Sequence, residues 1–157
     1  MHRMARFFLP GLAILAPVAA WVSYDAVPQE PAAEHQLDSP LETAMETIDR
    51  GMKALRRSVD SPEKAADNLT RLRDMQVAAL TARGLCPEPF TPLSDVEKVV
   101  WRIGFERKML AVTDRLLQVE QSIVEARFAD AKALYSELTA LKKEGHDTYV
   151  PPEEDEE

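Results

Sequence analysis

Two residues able to ligate a transition metal lie far apart in this 157-residue chain, Met45 in ETAMETID and His146 in KKEGHDTYV. A thioether is a soft, neutral ligand and an imidazole an intermediate one. Facing each other across an apolar slot, the pair suits iron and suits zinc or calcium poorly. Singly, each has a plainer reading. A methionine in an apolar stripe is ordinarily core filler, and a lone histidine near a chain end is ordinarily solvated. The question is whether the elements that carry them bring them together.

SPLE opens the first helix, with Ser39 as N-cap, Pro40 at the first helical position and Glu42 as reciprocal partner of a capping box. Such a cap stabilises by about 1 kcal/mol. Leu41, Met45, Ile48, Met52 and Leu55 follow at steps of four and three, which makes one apolar stripe. DSPE predicts a second helix capped by Asp60, with Glu63 completing the box, carrying Leu69, Leu72, Ala79 and Leu80 and stopping at Gly84. LCPEPFTPL holds three prolines and cannot be helical. SDVE then starts a long third helix with Trp101, Phe105, Met109, Val112, Leu116, Val119 and Ile123 inward. A second row, Val96, Val99, Ile103, Leu110, Leu117 and Val124, is expected to broaden its buried face. The fourth helix begins near Phe128 and carries Ala131, Tyr135, Leu138 and Leu141.

Short connections between such helices predict an all-α, antiparallel up-down-up-down four-helix bundle over residues 39–150. That topology gathers the starts of helices one and three and the ends of two and four at one end. Met45 lies roughly 9 Å past the first cap. His146 follows Leu138 and Lys142 at helical steps, so it continues the inward row toward Met45. Leu41, Ile48, Leu72, Trp101, Phe105 and Leu138 would wall the space between them. A haem fits those requirements, and two filled axial positions predict electron transfer to a redox partner protein rather than catalysis. No paired carboxylates, nucleophile with base, or metal-ligand cluster stands at catalytic spacing, so an enzyme is not expected. The alternative is a haem-free bundle acting as a binding or interaction module.

The flanks concern location. MHRMAR is basic and FFLPGLAILAPVAAWV is a short apolar run, so residues 1–20 predict an export signal cleaved after Ala20, with an uncleaved membrane anchor as the rival. Residues 21–38, rich in Pro, Ala and Glu, predict a linker containing a solvated His35, and residues 151–157 an acidic tail. The formal net charge of −8 argues against a nucleic acid or an anionic membrane surface as partner. Cys86, the single cysteine, excludes an internal disulfide and the C-x-x-C-H arrangement that attaches haem covalently. The expectation is a periplasmic monomer.

METIDRGMKAL in the first helix, LTRLR and AAL in the second, WRIGFE in the third and the H-x-x-Y pair of His146 and Tyr149 resemble the cytochrome b562 family, soluble four-helix b-type cytochromes of the bacterial periplasm. The similarity runs in order from Leu41 to Tyr149. It implies one non-covalent haem b held by a methionine of the first helix and a histidine of the last, roles that fall on Met45 and His146. Three departures stand out. Gly145 occupies the place of a tyrosine and, as a C-cap, would end the helix before His146. Lys142 replaces an arginine one turn before the histidine, on the cofactor's rim. VPPEEDEE offers carboxylates where a cation would meet a haem propionate. Helix four is nevertheless expected to reach Tyr149, since its first forced break is Val150, ahead of Pro151.

Overall fold

The structure, a computed structural model, describes residues 39–152. The predicted export signal, the linker with His35 and residues 153–157 of the tail lie outside them. Within the described residues the chain is all helical: α1 (Pro40–Leu55), a short 3-10 turn (Pro62–Lys64), α2 (Ala65–Arg83), α3 (Asp95–Val124) and α4 (Phe128–Tyr149).

Local chemistry sets most of these boundaries. Ser39 Oγ accepts from the Glu42 N–H at 3.2 Å while Glu42 Oε2 accepts from the Ser39 N–H at 2.6 Å. Ser94 and Glu97 repeat the box at the head of α3, at 3.4 and 2.8 Å. Each box satisfies two N–H groups that the helix leaves orphaned. The expected Asp60 cap is not there. Asp60 accepts instead from Lys132 Nζ of α4 at 2.6 Å, and the chain enters α2 through the 3-10 turn, where the Ser61 hydroxyl donates to Glu63 at 2.8 Å. A tertiary ion pair has displaced a local cap. Between α3 and α4 the reversal is a Schellman motif: Ala126 takes φ 56°, its N–H donates to Ile123 O and the Arg127 N–H donates to Ser122 O.

The core is drawn from all four helices, including Ile48, Met52 and Leu55, Leu72 and Met75, Phe105, Met109 and Leu116, and Leu138. Helix α1 packs on α2, α2 on α3 and α3 on α4. Gly51 permits the closest approach of α1 to α2, because a Cβ there would collide with the Met75 sulfur. At the turn joining them, buried Asn68 donates to Ser58 O and accepts from the Ser58 hydroxyl, both at 2.7 Å. Ion pairs Lys108–Glu144 and Arg115–Glu137 link α3 to α4, one partner's number falling as the other's rises, which is compatible with an up-down arrangement. Helix α1 meets α4 through side chains: the Tyr135 hydroxyl donates to Met52 O at 2.9 Å, and Lys142 pairs with Asp49.

Two sequence expectations about burial fail. The second row of α3, Val96, Val99, Ile103, Leu110, Leu117 and Val124, is exposed rather than buried, and so is Leu80 of α2. Each step along a helix turns about 100°. Leu110 and Leu117 follow the buried Met109 and Leu116 by one residue, which carries them beyond the reach of α2 and α4. Helix α2 buries small side chains, Ala78, Ala79 and Ala82, with Met75 and Asn68, so Leu80 falls outside its narrow contact face.

Candidate cofactor slot between the first and fourth helices

The capped start of α1 puts Met45 in its second turn, half-buried, between half-buried Leu41 and buried Ile48. At the other end of the chain α4 passes straight through Gly145. That glycine does not cap the helix: its φ is not positive, and an added Cβ would find only Lys108 Cγ at 3.6 Å, an ordinary contact. The helix stops at Tyr149 because Val150, ahead of Pro151, is extended (φ −112°, ψ 131°), and the Val150 N–H donates to His146 O at 3.1 Å. His146 therefore lies inside the last helical turn, in register with Leu138 and Lys142.

Aromatic packing holds that turn. The Tyr149 ring meets Trp101 edge-to-face with centroids 4.7 Å apart and Phe105 at 5.2 Å. Trp101 is fixed in turn, its indole N–H donating to Pro87 O at 2.9 Å and its ring meeting Phe90. Gly104 makes room for the tyrosine: a Cβ at that position would lie 2.6 Å from Tyr149 Oη. The proline-rich connection thus positions Trp101, Trp101 positions Tyr149, and Tyr149 secures the turn that carries His146. Burial pushes the Tyr149 hydroxyl pKa above its ordinary value, with the neighbouring Cys86 contributing. The Cys86 thiol pKa is also pushed up, first by burial and then by Glu88 and Glu106.

Between α1 and α4 lies an apolar cavity of about 120 Å³. Leu41, Met45, Ile48 and Met52 line it from α1, Phe105, Met109 and Val112 from α3, and Leu138, Leu141, His146 and Tyr149 from α4. Met45, Lys142 and His146 also line the adjoining surface groove, whose other walls are Glu42, Glu46, Asp49, Arg50 and Lys53. The two potential ligands therefore stand where an apolar interior meets a charged rim. Met45 is half-buried and His146 exposed, its ring accessible from the groove. At the mouth Lys142 and Lys53 both pair with Asp49 and hold its carboxyl below the usual range, Lys142 contributing most.

Of the residues expected at the site, Leu41, Met45, Ile48, Phe105, Leu138, Lys142 and His146 share this cavity. Leu72 does not; it is wholly buried, and α2 contributes no residue to the lining. Trp101 does not reach the cavity either and acts on it through Tyr149. Met52, Met109 and Leu141 were legible as members of inward stripes but were not expected at the site. Lys108 and Pro87 gave no sequence signal as lining residues.

A soft sulfur, an imidazole, apolar walls and a rim of mixed charge form a donor set compatible with a haem and with no hard cation. The enclosed part alone matches one ring-sized group, since an apolar cavity of about 150 Å³ takes a benzene. A macrocycle would have to occupy cavity and groove together. Among the described residues no three His, Cys, Asp or Glu side chains are grouped to hold a metal ion, and no helix is long and apolar enough to cross a membrane. The chain matches no family model, no curated protein and no solved structure.

Proposed function

We propose that this chain is an exported electron-transfer protein, an up-down-up-down four-helix bundle that holds one non-covalent b-type haem between α1 and α4, with Met45 and His146 as axial ligands. The observation that carries this reading is that these two residues, from the first and last helices, line one apolar cavity at its polar rim. When bound, the haem supplies a one-electron redox couple. The protein's part is to hold and insulate it. The Met45 thioether and the His146 imidazole would hold the iron, Ile48, Phe105 and Leu138 would exclude water, and Lys142 at the rim would offer a cation to carboxylates competing with Asp49 for it. With no open coordination position the expected activity is electron exchange with a redox protein, in the periplasm.

Haem titration followed by absorption tests the proposal. The expected result is about one haem per chain and a low-spin, six-coordinate spectrum on reduction. Met45→Ala should leave a folded protein with one axial position open and a high-spin spectrum, and His146→Ala should weaken haem retention more. The exposed position of His146 favours the other reading, a haem-free interaction module. Titration that leaves only the broad absorption of free haem would overturn the haem site and leave that reading standing, and unchanged spectra in both variants would show that the ligands are misassigned.

A further inference from the structure

On the outer face of α3, Val96, Ile103, Leu110, Leu117 and Val124 stand seven residues apart and are 74, 44, 44, 49 and 66% exposed. Single exposed apolar side chains are ordinary; a continuous row along a thirty-residue helix is not. A seven-residue apolar repeat drifts about 20° per heptad on a straight helix, so it describes a seam that a second helix follows at a shallow crossing angle. The row is also a palindrome in side-chain type. About Leu110, Ile103 balances Leu117 and Val96 balances Val124.

We propose that this face is an interface between two copies of the chain, with α3 packed antiparallel on its counterpart about a two-fold axis at Leu110. Self-complementarity is what an isologous contact demands, and the charges beside the row supply it. At about 100° per residue, Arg107 and Asp114 lie on the same flank, roughly 60° and 40° from Leu110. The two-fold axis sets each Arg107 beside the other copy's Asp114, giving two ion pairs. Both side chains are exposed, and Asp114 already accepts from Gln118 at 2.7 Å without a cation. Glu106, the carboxylate on the opposite flank, is neutralised by Arg102 of its own helix. A parallel pairing would turn Arg107 toward the opposite flank of the other chain, whose carboxylate Glu106 is already paired with Arg102, so the two new ion pairs favour the antiparallel register. From Val96 to Val124 the face is about 42 Å long. A monomer is the expectation from the sequence, and the proposed pairing departs from it. The inference does not depend on haem.

Sedimentation equilibrium of the full chain, with and without haem, tests it. The expected mass is twice that of one chain, and Leu110→Lys should give monomers whose circular dichroism keeps its helical signal. Arg107→Asp alone should weaken dimerisation at least 10-fold, and Arg107→Asp combined with Asp114→Arg should restore it to within about 3-fold. In a Cys86→Ser background, Leu110→Cys should crosslink to itself, because facing Cα atoms at the axis lie about 5 Å apart. Val96→Cys should not, yet it should crosslink to a Val124→Cys chain. Four results would overturn the proposal: monomers at about 100 µM, a dimer indifferent to Leu110→Lys, Val96→Cys chains that crosslink to themselves, or monomers that sediment with phosphatidylcholine vesicles. The last would assign the row to a lipid surface.

Discussion

Replacing Gly104 by alanine isolates the contact that holds His146 in place. The new Cβ would lie 2.6 Å from Tyr149 Oη, whereas Tyr149 Cζ is already at 3.9 Å, an ordinary distance. Relief therefore requires Oη to withdraw by about 1 Å, and the ring can do this only by leaving its edge-to-face contacts with Trp101 and Phe105. Each such contact is worth about 0.5–1.5 kcal/mol, so the loss is about 1–3 kcal/mol. Removing a glycine from a helix interior returns about 1 kcal/mol. The haem-free protein should thus lose only about 0–2 kcal/mol in urea unfolding. The terminal turn of α4 moves with the tyrosine, so haem affinity should fall about 10-fold and the signals of the His146 ring should shift. Tyr149→Phe removes the one atom in conflict. The double variant Gly104→Ala with Tyr149→Phe should therefore recover both stability and affinity, and a double-mutant cycle should give a coupling above about 1 kcal/mol. A Gly104→Ala protein that binds haem like the parent, or a loss that Tyr149→Phe does not repair, would refute the chain of contacts from α3 through Tyr149 to His146.

Three further outcomes are expected. Ala126→Gly should stabilise the fold by up to about 1 kcal/mol in urea unfolding, because Ala126 sits in the left-handed C′ position of a Schellman motif, where a Cβ is disfavoured. Asp49 binds its proton more weakly folded than unfolded, Lys142 and then Lys53 lowering its pKa from 3.8. Its contribution is therefore fully present above pH ~4 and disappears as pH falls through the folded pKa. Asp49→Asn should flatten that part of the acid-stability curve in urea midpoints measured from pH 6 to pH 2. Gly51→Ala should destabilise by about 1–3 kcal/mol through overpacking against Met75, and Met75→Ala should relieve the conflict in the double variant, with thermal melting as the measure.

Features decided within four residues were legible in the sequence. Both Ser–Glu capping boxes and the end of α4 ahead of Pro151 depend on backbone chemistry that no distant residue contests. Asp60 was misread because Lys132, 72 positions away, offers its carboxylate a charged partner, and local cap chemistry does not reveal such a rival. The site was legible to the extent that register alone fixes it. Met45 and His146 converge because helices with fixed ends carry them at fixed depths, and Gly145 changes nothing since α4 is already bound to α3 on that side by Lys108 and Glu144.

Rotation about each helix axis is what periodicity leaves open. Leu72 lies as deep as any residue of the core, yet α2 is turned toward α1 and α3 and the slot opens between α1 and α4, so depth did not make it a lining residue. Trp101 was drawn to the connection by its hydrogen bond to Pro87 O, and the nearer ring, Tyr149, took the wall. The two rows of α3 differ by about 100° and are equally apolar, so only the positions of α2 and α4 separate them. One row closes on Phe105 and Met109 beside the slot. The other is left on the outside with no partner within the described residues, and the same apolar periodicity that builds the interior on one side of α3 becomes, on the other, a surface suited to a second copy of the chain.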